Sequence, residues 1–295
     1  PRCIYRHAHK LPAAHCLTLR RGDSAQAQPA PYWDVHFSND NPIGLADAQV
    51  ELRERVKESV RLRMIADVPL GAFLSGGVDS SAVVATMAGL SDSPVHTCAI
   101  GFDDPRFNES AFAQQVADRY HTDHELDVVR SDDFDLIDTL ARLYDEPFAD
   151  SSAIPTYRVC QMARKHVTVA LSGDGGDESL GGYRRYRMHQ GEEALRNCLP
   201  HGLRRPLFGA LGQMYPKADW APRPLRAKTT LQALAMDSVQ AYHHSMSHLL
   251  ADQRQALFSA AFQRCLGGYS SLNVFRQYAL QAEIDDPLAL IQYLD

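Results

Sequence analysis

Ser75-Gly-Gly-Val-Asp-Ser80 follows directly on the apolar run Val68-Pro-Leu-Gly-Ala-Phe-Leu74. The run has the length and composition of a buried strand, and the two glycines mark a turn too tight for side chains. Beyond it, Ser81 to Met87 has the composition of a helix. Ser80 or Ser81 then falls in the first helical turn, where backbone N–H groups lack partners and anions bind. No Lys follows the glycines and the spacing Gly-x-x-x-x-Gly-Lys is absent, so this is not a Walker A loop. Gly76 and Gly77 let the main chain approach a phosphate closely, Ser75 and Ser80 offer hydroxyls, and Asp79 adds a carboxylate. A carboxylate beside phosphates points to a bridging Mg2+. An ordinary glycine turn is the competing reading of Gly-Gly alone.

Downstream of this turn the pattern alternates strand with helix, as in a parallel α/β sheet flanked by helices. Val95 to Phe102 reads as the second strand, and Glu109 to Tyr120 as a helix with Phe112, Val116 and Tyr120 inward. Glu125 to Val129 is a third strand. Ser131 is an N-cap for a helix carrying Phe134, Ile137, Leu140 and Tyr144 that stops at Glu146-Pro147. A helix over Ala153 to Lys165 and a strand over Val167 to Leu171 complete the alternation. Upstream, residues 1–44 read as an extended connector anchored by Tyr32-Trp33, followed by an amphipathic helix with Leu52, Val56, Val60 and Met64 on one face. From Glu192 onward the chain reads as mostly helical, with a proline-rich interruption from Pro200 to Pro224.

The 295 residues are 45% hydrophobic and 22% charged, ordinary for a soluble globular protein. The net charge of −6 argues against a general nucleic-acid surface. No apolar stretch is long enough to span a membrane and no signal peptide opens the chain, so no membrane or nucleic-acid partner and a cytoplasmic location are expected. The six cysteines show no zinc spacing and read as reduced thiols, with Cys98 and Cys160 in the core. His121 and His124 lack a third ligand and read as solvated. Arg184, Arg185 and Arg187 form a basic cluster from which one guanidinium could reach a phosphate, whereas Arg204-Arg205 reads as surface.

A second glycine turn, Ser172-Gly-Asp-Gly-Gly-Asp-Glu-Ser-Leu-Gly-Gly-Tyr183, also leaves the end of a strand. Ligands in open α/β sheets bind outside the carboxyl ends of the strands, so both turns should face one crevice. An acidic surface turn is the plainer reading of the second stretch by itself. The ordered set Phe73-Leu-Ser-Gly-Gly-Val-Asp-Ser80, Ala99-Ile-Gly-Phe102, Asp145-Glu-Pro-Phe-Ala-Asp-Ser-Ser152, Ser172 to Glu178 and Gly181-Gly-Tyr183 resembles the synthetase domain of the glutamine-hydrolysing asparagine synthetases.

The resemblance implies a PP-loop ATP pyrophosphatase fold, adenine nucleotide alpha hydrolase-like, with residues 45–190 as the ATP-binding core and 191–295 as a helical part of the same domain. It also implies that residues 1–44 connect to a glutaminase domain missing from this chain, since Pro1 stands where an N-terminal cysteine nucleophile is expected. A later Lys-containing segment is likewise expected beyond Asp295. The implied reaction is adenylation of the aspartate side-chain carboxylate by ATP with Mg2+, loss of pyrophosphate, and amidation by ammonia. Ser75, Gly76, Gly77, Asp79 and Ser80 match the pyrophosphate loop, and Asp79 and Asp177 the Mg2+ carboxylates. Phe73, Leu74, Ile100, Ser172 and Gly173 match adenosine contacts. Asp174 takes the place of a Glu implicated as a base, and Asp150, Ser151, Ser152, Glu178 and Tyr183 are candidate contacts to the amino acid. A homodimer is the candidate assembly. The rival readings are another PP-loop ligase, such as a β-lactam synthetase relative or an amidotransferase acting on a different carboxylate, and a nucleotide-binding module without turnover.

Overall fold

The computed structural model describes residues 3–5, 7–22, 27–37, 42–106, 108–129, 136–148, 150–216, 220, 222 and 227–295. Ser131, Phe134, Ala149 and Pro224 lie outside them. The chain forms two units, one of residues 1–34 and 39–176, the other of residues 35–38 and 177–295.

In the first unit, β1 (His15–Cys16) and β2 (Ala30–Pro31) make a short antiparallel bridge. Tyr32 and Trp33 are 71% and 62% exposed, so the expected anchor does not bury its rings. The amphipathic helix is α1 (Leu45–Arg63), with Val60 buried, Val56 and Met64 packed on the core, and Leu52 outward. The α/β alternation then runs β3 (Leu70–Phe73), α2 (Val78–Leu90), β4 (His96–Phe102), α3 (Ser110–Tyr120), β5 (Asp123–Val129), α4 (Ile137–Leu143), α5 (Ala153–Ala163) and β6 (Val169–Leu171). All four of the strands β3 to β6 are parallel, in the order β5-β4-β3-β6.

Side chains alternate across this sheet with the period of two that extended backbone imposes. Ala72, Leu74 and Ala99 join Val60 of α1, Val84 and Met87 of α2, and Ala113 and Ala117 of α3 on one face. Phe73, Cys98 and Ile100 meet Met162 and Ala163 of α5 and Val167 on the other. Burial on both faces is why β3 and β4 read as near-continuous apolar runs. Cys98 is buried as expected, whereas Cys160 is exposed on α5.

The inner face of α3 differs from the expected one. Ala113 and Ala117 are buried, while Phe112 is 60% and Tyr120 is 37% exposed. Gly76 of the first turn lies so close that a Cβ placed on it would stand 2.7 Å from Ala113 N. The same Cβ would stand 2.8 Å from Phe112 Cβ, so the first turn closes directly on the start of α3.

Among its described residues the second unit contains helices and no strand. The helix α6 (Gly176–Leu180) enters it, followed by α7 (Arg184–Cys198), α8 (His201–Met214), α9 (Lys228–Leu234), α10 (Ser238–Met246), α11 (Ala251–Leu257), α12 (Ala260–Leu266), α13 (Ser271–Ala282) and α14 (Pro287–Leu294). The expected interruption after Pro200 is instead α8, which runs through Pro206. Residue i−4 of that proline is Gly202, which faces no atom within 4 Å. Tyr186, Tyr242 and Ile291 form the core, with Tyr183, Phe275, Leu288 and Leu294 around them. Arg204 is buried rather than on the surface, because its Nη1 donates to the carbonyls of Leu234 at 3.0 Å and Met236 at 2.9 Å.

Candidate functional site

The first turn is held open by its own short polar side chains. Leu74, the last residue of the apolar run, is fully buried and extends the ladder by donating its N–H to Cys98 O at 2.9 Å. Gly76 then takes φ +85°, the left-handed region that glycine enters without penalty. The Ser75 and Ser80 hydroxyls lie 2.9 Å apart, and Ser80 Oγ donates to Gly77 O at 3.2 Å. Gly77 N donates back to Ser75 Oγ at 3.3 Å, so the loop closes on itself. Gly77 is the N-cap of α2 and brings no side chain to cap it. The helix therefore begins with main-chain donors that no cap satisfies and with the positive end of its dipole at the turn.

The second turn leaves β6, the immediate neighbour of β3. Ser172 Oγ donates to Asp174 Oδ2 at 3.0 Å and accepts from Asp174 N at 3.3 Å, which fixes that exposed carboxylate. Gly175 is left-handed at φ +85°. The glycines on either side of it are pressed onto α2. A Cβ on Gly173 would lie 2.5 Å from Ser80 N and 2.8 Å from Asp79 C. A Cβ on Gly176 would lie 2.6 Å from Asp79 Cγ and 2.8 Å from Oδ1. The structure therefore brings Asp79 and Ser80 of the first turn against the second turn, main chain to main chain at Gly173 and with the Asp79 side chain lying against Gly176. Only residues without a side chain permit that approach.

The expected nucleotide contacts divide by sheet face. Phe73 and Ile100 are half-buried and pack on one cluster, so they share a face. Leu74 points to the opposite face and is sealed in the core, where only its main chain is available to a ligand. Asp150, Ser151 and Ser152 are exposed at the start of α5. Asp150 Oδ1 accepts from Ser152 N at 2.8 Å, an Asx-type contact that starts the helix. Asp150 and Ser151 line a cavity of about 580 Å3 with α4, the 144–148 turn, whose Tyr144 and Phe148 rings stack at 4.2 Å, and Ile4; no residue of either glycine turn lines it.

In the second unit, Asp177 and Glu178 occupy α6, and Tyr183 Oη donates to Glu178 Oε1 at 2.5 Å. That bond to a carboxylate raises the Tyr183 pKa above its usual value and keeps the phenol protonated. Gly182 N donates to Asp177 O at 2.9 Å and closes the turn. Of the basic cluster, Arg185 is engaged within this unit, over the Tyr183 ring at 3.4 Å from its centroid and in an ion pair with Asp295. Residues 286–295 resemble the approach to the family's later Lys-containing segment, but that resemblance assigns no role to Asp295 or to Gln292, whose Nε2 donates to Glu178 O at 2.9 Å. Their spacing in α14 carries only the apolar signal of a helix.

His124 is not solvated as expected, since its Nδ1 lies 2.9 Å from Thr97 Oγ1 and burial lowers its pKa. His121 is the exposed left-handed C-cap of α3. Among the described residues no group of three His, Cys, Asp or Glu side chains is arranged to hold a metal. A Mg2+ bound by one or two carboxylates together with substrate phosphates needs no such group. Among the described residues no helix is long and apolar enough to cross a membrane.

Comparison with known proteins covers the chain broadly. A candidate glutamine-hydrolysing asparagine synthetase of Methanocaldococcus jannaschii is 42% identical over 186 residues, 62% of this chain and 35% of that protein. Asparagine synthetase [glutamine-hydrolyzing] 1 of Bacillus subtilis is 34% identical over 242 residues, 79% of this chain and 35% of that protein. The chain thus spans about a third of the length of these relatives. Residues 51–295 match the family described as Asparagine synthase, and the four-stranded parallel sheet carrying the two apposed glycine turns agrees with it: the chain belongs to the asparagine synthase family.

Proposed function

We propose that the chain is the synthetase portion of a glutamine-hydrolysing asparagine synthetase, an ATP-dependent carbon–nitrogen ligase that forms AMP and pyrophosphate. The observation that carries this reading is the apposition of the two glycine turns, in which Gly173 leaves room for the main chain of Asp79 and Ser80 and Gly176 for the Asp79 side chain. A phosphate cradle needs main-chain N–H groups that side chains do not cover, and the uncapped start of α2 supplies them.

The aspartate side-chain carboxylate attacks the α-phosphorus of ATP, and the bond from that phosphorus to the bridging oxygen breaks to release pyrophosphate. Ammonia then adds to the activated carbonyl, loses a proton, and expels AMP to leave asparagine. Ser75, Gly76, Gly77 and Ser80 bind the departing pyrophosphate through N–H and O–H donors, which stabilise charge as it develops. Phe73, Ile100, Ser172 and Gly173 surround the adenosine, with Leu74 contributing main chain only. Asp79 and Asp177 would hold Mg2+, which when bound neutralises phosphate charge and favours pyrophosphate as a leaving group. Asp174, whose Oδ2 accepts from Ser172 Oγ, takes the proton lost by the attacking ammonia in this reading. Glu178 and Tyr183 recognise the amino-acid part of the acceptor, with Asp150, Ser151 and Ser152 as further contacts. Ammonia comes from a glutaminase domain outside this chain, and the core and helical parts, residues 45–190 and 191–295, act as one synthetase domain.

Pyrophosphate release by the intact protein, measured with ATP, Mg2+ and ammonia against aspartate and a panel of other carboxylates, tests the reading. Aspartate-dependent release that disappears with Asp79→Ala is expected. Release with another carboxylate but none with aspartate would refute the asparagine assignment, and no release with any of them would refute the ligase.

A further inference from the structure

The second glycine turn ends on residues that the phosphate chemistry does not use, and they are unusually well tied down. Glu178 is held at two points. Its side chain accepts from Tyr183 Oη at 2.5 Å, and its main-chain carbonyl accepts from Gln292 Nε2 of α14 at 2.9 Å. Tyr183 is in turn fixed by Arg185, whose guanidinium carbon stands 3.4 Å from the ring centroid. A guanidinium at that distance lies flat against the aromatic face, an arrangement lysine cannot copy.

Arg185 has its own constraints. Its Nε donates to Tyr242 Oη at 3.3 Å, and its Nη2 pairs with the Asp295 carboxylate at the end of α14. The Asp295 side chain is only 4% exposed and also accepts from Tyr186 Oη. Ile291, fully buried between Tyr186 and Tyr242, fixes α14 in the same core. The chain of contacts runs from the packed helix through Asp295 and Arg185 to Tyr183 and so to Glu178, with Gln292 as a second strut. A purely structural cluster has no need to end on a half-buried carboxylate in a glycine turn.

We propose that Arg185 and Asp295, acting through Tyr183, and Gln292, acting on the Glu178 main chain, are positioning residues for the Glu178 carboxylate, so that α14 sets the geometry of the acidic turn. What Glu178 meets rests on the function proposed above; how it is held does not. One carboxylate oxygen is occupied by the phenol, which orients the other for a ligand, and a rigid carboxylate binds a cationic or hydroxyl group at less entropic cost than a mobile one.

The test uses the intact protein with Arg185→Met and Gln292→Leu, and with Arg185→Lys as the variant that retains the Asp295 ion pair should the methionine protein fail to fold. Crystal structures are the first measurement. In either Arg185 variant the Tyr183 Oη to Glu178 distance is expected to exceed 3.5 Å, and its retention at hydrogen-bond length would overturn the inference whatever the substrate is. Steady-state kinetics are the second. Gln292→Leu should raise KM for the acceptor carboxylate roughly tenfold, as for the loss of one hydrogen bond, with KM for ATP and the melting temperature nearly unchanged. Equal changes in both KM values, or in neither, would mark the cluster as merely structural and overturn the inference. Failure of wild type to use aspartate would instead count against the proposed function alone, because the distance measurement still decides this one.

Discussion

Replacing Gly173 with alanine tests whether the two turns must touch. The added Cβ would stand 2.5 Å from Ser80 N, 2.8 Å from Asp79 C and 3.0 Å from Asp79 Cβ. All three atoms belong to the rigid start of α2, so no side-chain rotation relieves the clash. Restoring ordinary contact at 3.4 Å requires the turns to part by about 0.9 Å at the closest pair. Overpacking of this kind costs about 1–3 kcal/mol. A displacement approaching 1 Å in a positioning loop lowers turnover on the order of a hundredfold. Urea unfolding followed by circular dichroism should show the first loss, and kcat/KM for ATP in pyrophosphate release the second. Gly175→Ala separates strain from displacement. Its Cβ meets nothing within 4 Å, yet its φ of +85° costs an L-residue about 1–2 kcal/mol, so stability should fall with much less loss of turnover. A Gly173→Ala protein with wild-type stability and wild-type kcat/KM would show that the apposition is not needed, and the cradle argument would fail.

Three further outcomes are expected. Gly191→Ala, in the middle of α7 with open space at the Cβ, should stabilise the protein by about 1 kcal/mol in urea titration, and a loss would mean that the helix is strained there. Arg204→Ala should cost about 2–4 kcal/mol, because the Leu234 and Met236 carbonyls lose their donor in a buried place; a neutral result would contradict the burial. Burial holds His189 down to about 4 from an ordinary 6.5, so the unfolded chain takes up a proton below pH 6.5 that the folded protein refuses until about pH 4. Stability is therefore full above pH 6.5 and falls as pH drops through this window, by about 3 kcal/mol at most for a shift of this size. His189→Gln should flatten that part of the pH–stability curve, and an unchanged slope would assign it to other groups.

The strand-turn-helix at Ser75 to Ser80 was legible because each level of local pattern agreed there, from the apolar run to the paired glycines and the small helical residues. The orientation of α3 was not. Phe112 and Tyr120 carry the hydrophobic signal of that helix, yet the small side chains of Ala113 and Ala117 are the ones packed in the core with Leu74, Val84 and Ala99. A periodicity argument counts apolar residues and has no means of registering which of them the core will take. Arg204 was misplaced for a related reason: its charge says surface, and only the fold reveals the two carbonyls that accept from it. The Pro206 ring continues α8 where a local rule predicts a stop. In the candidate site, the glycine turns announced themselves, whereas the struts from Asp295 to Arg185 and from Gln292 to Glu178 span 110 and 114 positions and start from a helix whose pattern signals only apolar packing.

The position of β6 has a consequence for how the protein matures. This strand has three residues, sits at the edge of the sheet, and pairs with β3 across about a hundred intervening residues. Closing so long a loop for so few ladder bonds is slow and weakly rewarded until neighbouring surfaces are packed. The strand is therefore the natural place for the folded protein to breathe, and amide hydrogen exchange should report it among the first segments to open. Gly173 and Gly176 reach α2 only when β6 is seated, so under the proposed function a nucleotide lodged between the turns draws its affinity partly from completing the sheet. Occupancy and edge-strand protection should rise together, and each gives a measure of the other.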